Sequence, residues 1–199
     1  MKQASAVGWA DVGGQEAALI RGCAAGDADA SALLVAEHHR MVFRLAHHLL
    51  RDREEALDLT QEVFLRVFRT IHRFRGQSSL RTWIYRITVN QVRNRQRWWR
   101  RRHQGDQIPF DAHLCCSDRA LQTDATAPDR VFAREELARR LRAAIERLPF
   151  EQRTAIVLRE LEGLSYDEIA FSLSLAIGTV KSRLTRARQA LRAELGALR

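Results

Sequence analysis

Proline occurs three times in 199 residues and glycine ten times. Helix breakers are therefore scarce, and with Pro109 and Pro128 in one stretch, long helices are allowed on either side of it. Cysteine also occurs three times, as Cys23, Cys115 and Cys116. No C-x-x-C pair is present, adjacent cysteines are badly placed to bridge each other, and no disulfide framework can be built from such a set. A reducing, cytoplasmic setting is expected. Nowhere do 18 apolar residues run together, so no membrane insertion is expected. Met1 to Gly14 lack the basic cluster and apolar stretch of a secretory signal. There is no Gly-rich phosphate loop and no nucleophile motif, which argues against an enzyme, for instance a helical hydrolase. His38, His39, His47 and His48 stand 8 to 10 residues apart between the two pairs, not at the i, i+4 spacing of a helical zinc site. No catalytic residue, metal or cofactor is expected. The Cys115-Cys116 pair reads either as a redox or metal sensor in the linker or, the favoured reading, as two ordinary thiols.

What the chain does have is positive charge. Lys and Arg total 33 against 24 Asp and Glu, a net charge of +9. Only Lys2 and Lys181 are lysines, so nearly all the cations are arginine. Arginine suits bidentate phosphate contacts, and a GC-rich codon bias produces the same enrichment. The excess still favours an anionic partner, nucleic acid first.

Hydrophobic residues make up 46% and repeat at threes and fours, with no sustained strand alternation. The expected class is all-α. Residues 15–103 form a helical unit ending in a basic run. Residues 104–130 carry Pro109, Pro128 and five aspartates with no apolar period, and read as a flexible linker. Residues 131–199 return to the helical period. The architecture predicted is two small helical domains on a tether.

The sharpest local signal lies near the C-terminus. Gly163 can end one helix, and Ser165-Tyr166-Asp167-Glu168 is a capping box that opens a short helix over 166–173. A turn over 175–178 follows, and Thr179 opens a second helix. Helix, tight turn, helix is a DNA-reading pattern. On the second helix Val180, Leu184, Ala187 and Leu191 step by three and four and pack inward. Lys181, Ser182, Thr185, Arg186, Gln189 and Arg192 lie on the outer face and flank, and no acid interrupts 178–192. That is the chemistry of a major-groove helix.

In the N-terminal unit, 54–71 is expected as one helix with Thr60, Val63, Phe64, Val67 and Ile71 inward. Asp58, Gln61, Glu62 and Leu65 fall on the opposite side. Leu65 amid polar residues is either a docking surface or a singly exposed leucine of the kind soluble proteins tolerate. A loop over 72–79 leads into a helix over 80–102 that ends in Arg93, Arg95, Arg97, Arg100, Arg101 and Arg102, with Trp98 and Trp99 among them. Arginine with interleaved aromatics suits a nucleic-acid backbone and exposed bases. Trp83, Ile84 and Ile87 are read as core.

These residues resemble a known family. Leu57-Asp58-Leu59-Thr60-Gln61-Glu62-Val63-Phe64 is similar to region 2.2 of bacterial sigma factors. Phe74-Arg75-Gly76 through Thr82-Trp83-Ile84-Tyr85-Arg86-Ile87 and Asn90 resembles regions 2.3 and 2.4. Leu158-Arg159-Glu160-Leu161-Glu162-Gly163-Leu164-Ser165 through Ala170, with Gly178 to Arg183, resembles regions 4.1 and 4.2. The absence of a domain between them is similar to the extracytoplasmic function (group 4) subfamily of the sigma-70 family. The resemblance implies promoter recognition and melting, with catalysis supplied by the polymerase. It implies that Leu57, Asp58, Gln61, Glu62 and Leu65 dock on the polymerase β′ clamp, that region 4 meets the β flap, and that an anti-sigma factor is a partner. It implies that Phe74 and Asn90, with Arg93 and Arg97, serve the −10 element, and that Lys181, Ser182, Thr185, Arg186 and Gln189 serve the −35 element. Thr185 stands where some relatives carry an aromatic, and Ser174 and Ala176 where glycine and proline are frequent. Trp98-Trp99 is no hallmark of the family.

The geometry fits. Reading sites two duplex turns apart are separated by roughly 70 Å, and a linker of about 26 residues extends to about 85–90 Å. A conventional helix-turn-helix regulator is the alternative, but it would leave the 57–65 face and the 74–102 segment without a role.

Overall fold

The computed structural model describes residues 14–102 and 128–196. The expectations for Met1 to Gly13, for most of the 104–130 tether and for Cys115 and Cys116 lie outside the described residues. All regular structure among the described residues is helical: α1 (Gly14–Ala25), α2 (Ala28–Leu50), α3 (Arg53–Thr70) and α4 (Leu80–Arg102), then α5 (Pro128–Arg147), α6 (Phe150–Ile156), α7 (Tyr166–Leu173) and α8 (Ile177–Gly196). A 3₁₀ turn (Ile71–Arg73) follows α3, and a π-helical segment (Val157–Leu161) follows α6.

Local chemistry sets the boundaries. Asp27 caps α2 by accepting from the amides of Asp29 and Ala30 at 2.8 and 3.3 Å. Asp52 caps α3 through the Glu55 amide at 2.9 Å. The amide of Leu80, at the start of α4, donates to Glu16 of α1 at 2.9 Å, so a side chain from another helix supplies the cap. Gly22 is required by packing, because a Cβ there would stand 2.7 Å from the Ala30 Cβ.

Each N-terminal helix buries one stripe. Leu34, Val42, Leu45 and Leu49 of α2 meet Leu59, Val63 and Val67 of α3 and Leu80, Ile84, Val89 and Val92 of α4, all fully buried. Each such side chain contributes about 1.5–3 kcal/mol of transfer free energy. In the C-terminal unit, Ile156, Leu158, Leu164, Ile169 and Leu173 pack against Val180, Leu184 and Ala187 of α8. The apolar core runs continuously from one unit into the other, because α4 packs against α7 and α2 against α6.

The expected capping box is present. The Glu168 amide donates to Ser165 Oγ at 3.2 Å and the Ser165 amide to Glu168 Oε2 at 2.8 Å. Gly163 has φ +74°, the left-handed conformation expected of a residue that ends a helix. The turn between α7 and α8 passes through Ser174 at φ 55°, ψ 50°. A non-glycine residue is strained there. Ser174→Gly is therefore expected to stabilise the C-terminal unit by about 0.5–1 kcal/mol and raise the melting temperature by roughly 2–4 °C. An unchanged or lower melting temperature in calorimetry would show that the strain is absorbed elsewhere.

Candidate nucleic-acid interface

Three surfaces carry the candidate chemistry. The first is the outer face of α3. Leu57 and Leu65 are 38% and 55% exposed, and Asp58, Gln61 and Glu62 are exposed between them. Ala56, Leu59, Thr60, Val63, Phe64 and Val67 occupy the buried face, as the periodicity predicts. Glu62 is not isolated: Arg95 of α4 donates to it at 2.6 Å and also pairs with Glu55. Arg95 thus ties α4 to the α3 face and is taken out of the basic run.

The second surface is a groove of about 590 Å³ along α4, closed on one side by the end of α3 and the 3₁₀ turn. Asn90, Gln91 and Asn94 place amides in it, and Trp83 and Ile87 give it an apolar wall. Arg66 and Arg73 enter from α3 and the turn, and Arg86, Arg93 and Arg97 from α4. Apolar wall, amide donors and acceptors, and a cationic rim suit an unstacked base on a phosphate chain. A smaller recess of about 410 Å³, lined by Asn94, Arg97, Arg100 and Arg101, continues it toward the end of α4. Trp98 and Trp99 stand beside that end, 44% and 36% exposed, edge to face at 5.4 Å. The Arg102 guanidinium lies 4.9 Å over the Trp98 ring.

The expected −10 residues divide. Asn90 and Arg97 are exposed and line the groove, and Arg93 lines it half-buried. Phe74 does not line it: the ring is 5% exposed and packs edge-on against Trp83 at 5.4 Å. It holds the Trp83 wall in place instead of facing a ligand. Ile84 is core as expected, but Trp83 and Ile87 do double duty, resting on the core and walling the groove. Trp83, Ile87, Asn90, Asn94 and Arg97 share one helical face at steps of three and four, a signal that could have extended the site from sequence. Arg66 and Arg73 come from other elements and gave no such signal.

The third surface is α8. Lys181, Ser182, Thr185, Arg186 and Gln189 are all exposed, and Val180, Leu184 and Ala187 are buried beneath them. The hydroxyls of Ser182 and Thr185 donate back to Thr179 O and Lys181 O at 2.9 and 3.0 Å. The arginines differ. Arg188 is held by Glu160 at 2.7 Å, and Arg183 pairs with Glu151. Arg186 has no ion pair among the described residues, which leaves it available to a base edge.

The four histidines do not converge. His39 stacks on Phe64 and His47 on Phe43, and among the described residues no three His, Cys, Asp or Glu side chains group as metal ligands. Burial first, and then the neighbouring His47 charge, hold the His48 imidazole below its ordinary pKa. Among the described residues no helix is long and apolar enough to cross a membrane.

An exposed α3 face with two leucines, an arginine-rimmed groove along α4 and a helix-turn-helix thus lie on one chain. Residues 34–105 match the sigma-70 region 2 family and residues 138–191 the sigma-70 region 4 family. The chain is 37% identical over 178 residues to the RNA polymerase sigma-H factor of Pseudomonas aeruginosa, covering 89% of this chain and 92% of that one. It is 38% identical over 167 residues to the ECF RNA polymerase sigma-E factor of Escherichia coli, covering 83% and 86%. Among solved structures it is similar to CnrH, determined in complex with the cytosolic domain of CnrY, with a TM-score of 0.66, 26% identity, and coverage of 92% of this chain and 97% of that one. The chain belongs to the ECF RNA polymerase sigma factors, proteins that direct core polymerase to promoters and are not a class of enzymes.

Proposed function

We propose that this chain is a group 4 sigma factor that acts in the cytoplasm, has no catalytic activity of its own, and divides its work among the three surfaces. Its domains are region 2 over 15–103 and region 4 over 131–199, joined by the 104–130 linker. The α3 face docks on the β′ clamp, with Leu57 and Leu65 supplying apolar contact and Asp58, Gln61 and Glu62 polar register. The α4 groove receives a flipped −10 base. The exposed face of α8 reads the −35 element, region 4 meets the β flap, and an anti-sigma factor is the regulator.

The observation that carries this reading is the Asn90 groove. A conventional helix-turn-helix regulator has no need of an amide-lined, arginine-rimmed groove on a second unit. Capturing a base removed from the stack offsets the few kcal/mol lost on unstacking, and this is how a protein without a motor assists melting. Polymerase-dependent transcription from a promoter bearing both elements separates the two readings. Specific DNA binding without any start by core polymerase would favour the regulator.

Docking is tested directly. Exposed polar contacts are each worth about 1 kcal/mol or less, so Asp58→Ala combined with Gln61→Ala is expected to weaken core binding about fivefold to tenfold while helix content is unchanged. Normal retention of core polymerase by the double variant in a pull-down would remove the α3 face from the interface.

A further inference from the structure

Trp98 and Trp99 stand at the end of α4, beyond the lining of either recess. A single exposed aromatic is ordinary, but two adjacent ones in a field of arginine form a patch. The groove leads to them. Asn90, Asn94, Trp98 and Arg102 follow one another at intervals of four, so they form one slowly winding row on the helix. Asn94 and Arg97 line both the larger groove and the smaller recess, which makes the two continuous. At 1.5 Å per residue, Trp98 lies about 12 Å along the axis from Asn90. A stacked strand advances about 3.4 Å per nucleotide and a stretched one further, so Trp98 is reached in about two to four nucleotides. The charge selects a polyanion. Between Glu62 and Asp106 the chain holds twelve arginines and no acidic residue. Glu55 and Glu62 engage Arg95, and Glu151 stands 3.8 Å from Arg93. Arg97, Arg100 and Arg101 are exposed and form no ion pair among the described residues. The rings are also oriented. Trp98 and Trp99 meet at 85°, and the Arg102 guanidinium lies over the Trp98 ring. A ring held in this way loses little freedom when a base stacks on its exposed part. A lipid surface also attracts arginine and tryptophan, but entering it takes an apolar stripe along the helix. In α4 that stripe, with Ile84, Val89 and Val92, is buried in the core.

We propose that Trp98, oriented by Trp99 and Arg102, is a second base-stacking site, which holds an unpaired nucleotide of the melted −10 strand about two to four positions from the base received at Asn90. The assignment rests on the −10 reading of the α4 groove. Phosphates between the two bases lie against Arg97, Arg100 and Arg101, whose guanidinium groups offer paired donors to phosphate oxygens. Stacking on an aromatic ring is indifferent to which base is presented, because every base has a π-face. The two sites therefore divide the work. The Asn90 amide reads a base edge, and Trp98 grips a neighbouring base of any identity. A strand held at two points along α4 cannot re-pair one base at a time, so the second grip lengthens the life of the melted state.

The first measurement needs no polymerase. The full chain is titrated with a thymidine oligonucleotide of about eight residues, within the range that single-strand sites take, and with an abasic oligonucleotide of the same length and charge. Wild type is expected to bind the thymidine strand about tenfold to a hundredfold more tightly, with quenching of tryptophan fluorescence. Trp98→Ala should cut that preference about fivefold or more, whereas Trp98→Phe, which keeps a ring, should retain most of it. Arg100→Ala combined with Arg101→Ala should weaken both strands alike and reduce the salt slope by about 1.4. All these positions are exposed, so native helix content is expected throughout. The second measurement uses holoenzyme on promoters with single abasic substitutions in the −10 strand. One position beyond the captured base should slow opening about fivefold in wild type and have no effect in Trp98→Ala. Equal affinity of wild type for the thymidine and abasic strands overturns the proposal. So does an unchanged preference in natively helical Trp98→Ala, or a Trp98→Ala holoenzyme that responds to every abasic position as wild type does. Tighter binding to phosphatidylglycerol vesicles than to the oligonucleotide, lost in Trp98→Ala, overturns it in favour of a membrane anchor. If Asn90→Ala opened promoters normally while Trp98→Ala kept its abasic signature, the stacking site would stand and only the Asn90 assignment would fall. If holoenzyme directed no transcription at all, the oligonucleotide preference would still support the stacking site, and that failure would fall on the functional reading alone.

Discussion

Replacing Asn90 with alanine is expected to reduce open-complex formation about tenfold to a hundredfold while leaving closed-complex binding within about twofold. Asn90 is exposed at the centre of the α4 groove, where an amide offers both a donor and an acceptor to a base edge. A stacked, paired base presents nothing to that site. On the proposed role only the melted state gains the contact, so the expected loss of about 1.5–3 kcal/mol falls on opening. Phe74→Ala should act in the same direction by another route: removing the buried ring beneath Trp83 loosens the groove wall and also lowers the melting temperature, which Asn90→Ala should not do. Permanganate reactivity of −10 thymines measures opening directly. Wild-type reactivity in Asn90→Ala would place base capture elsewhere in the groove, on Gln91 or Asn94.

The contrast between Asn90 and Phe74 shows where sequence reasoning holds. Patterns that need only neighbours along the chain were legible. The two faces of α3 follow from a 3.6-residue period, and the Ser165–Glu168 box and the face of α8 follow from spacing within one or two turns. The fate of Phe74 was not legible, because it depends on where Trp83 settles, and nothing local distinguishes a buried ring in a loop from one that faces a ligand. Arg95 shows the same limit. In sequence it is one more cation in a basic run, but Glu55 and Glu62, 40 and 33 residues away, claim it. Glu162 reads as a polar residue before a helix-ending glycine. Its partner Arg44 is 118 residues distant, so its burial is a property of the assembled chain alone.

Arg186→Ala is expected to lower the affinity for a matched −35 duplex by about 5-fold to 150-fold, equivalent to 1–3 kcal/mol, with a much smaller loss on a scrambled duplex. The α8 arginines make this a controlled comparison. Arg183 and Arg188 are engaged by Glu151 and Glu160, whereas Arg186 projects from the middle of the exposed face, one residue past Thr185. Arg192 is also exposed but lies nearly two turns further along, off the central face, where a contact to the backbone and not to the bases is expected. Arg192→Ala should therefore weaken both duplexes alike and reduce the salt dependence of binding by about one unit of slope. The measurement is best made with holoenzyme on promoters altered only at the −35 element, at several salt concentrations. Equal losses on matched and scrambled elements for Arg186→Ala would make it a phosphate contact. Specificity would then rest on Lys181, Ser182, Thr185 and Gln189, or on the deformability of the −35 duplex itself.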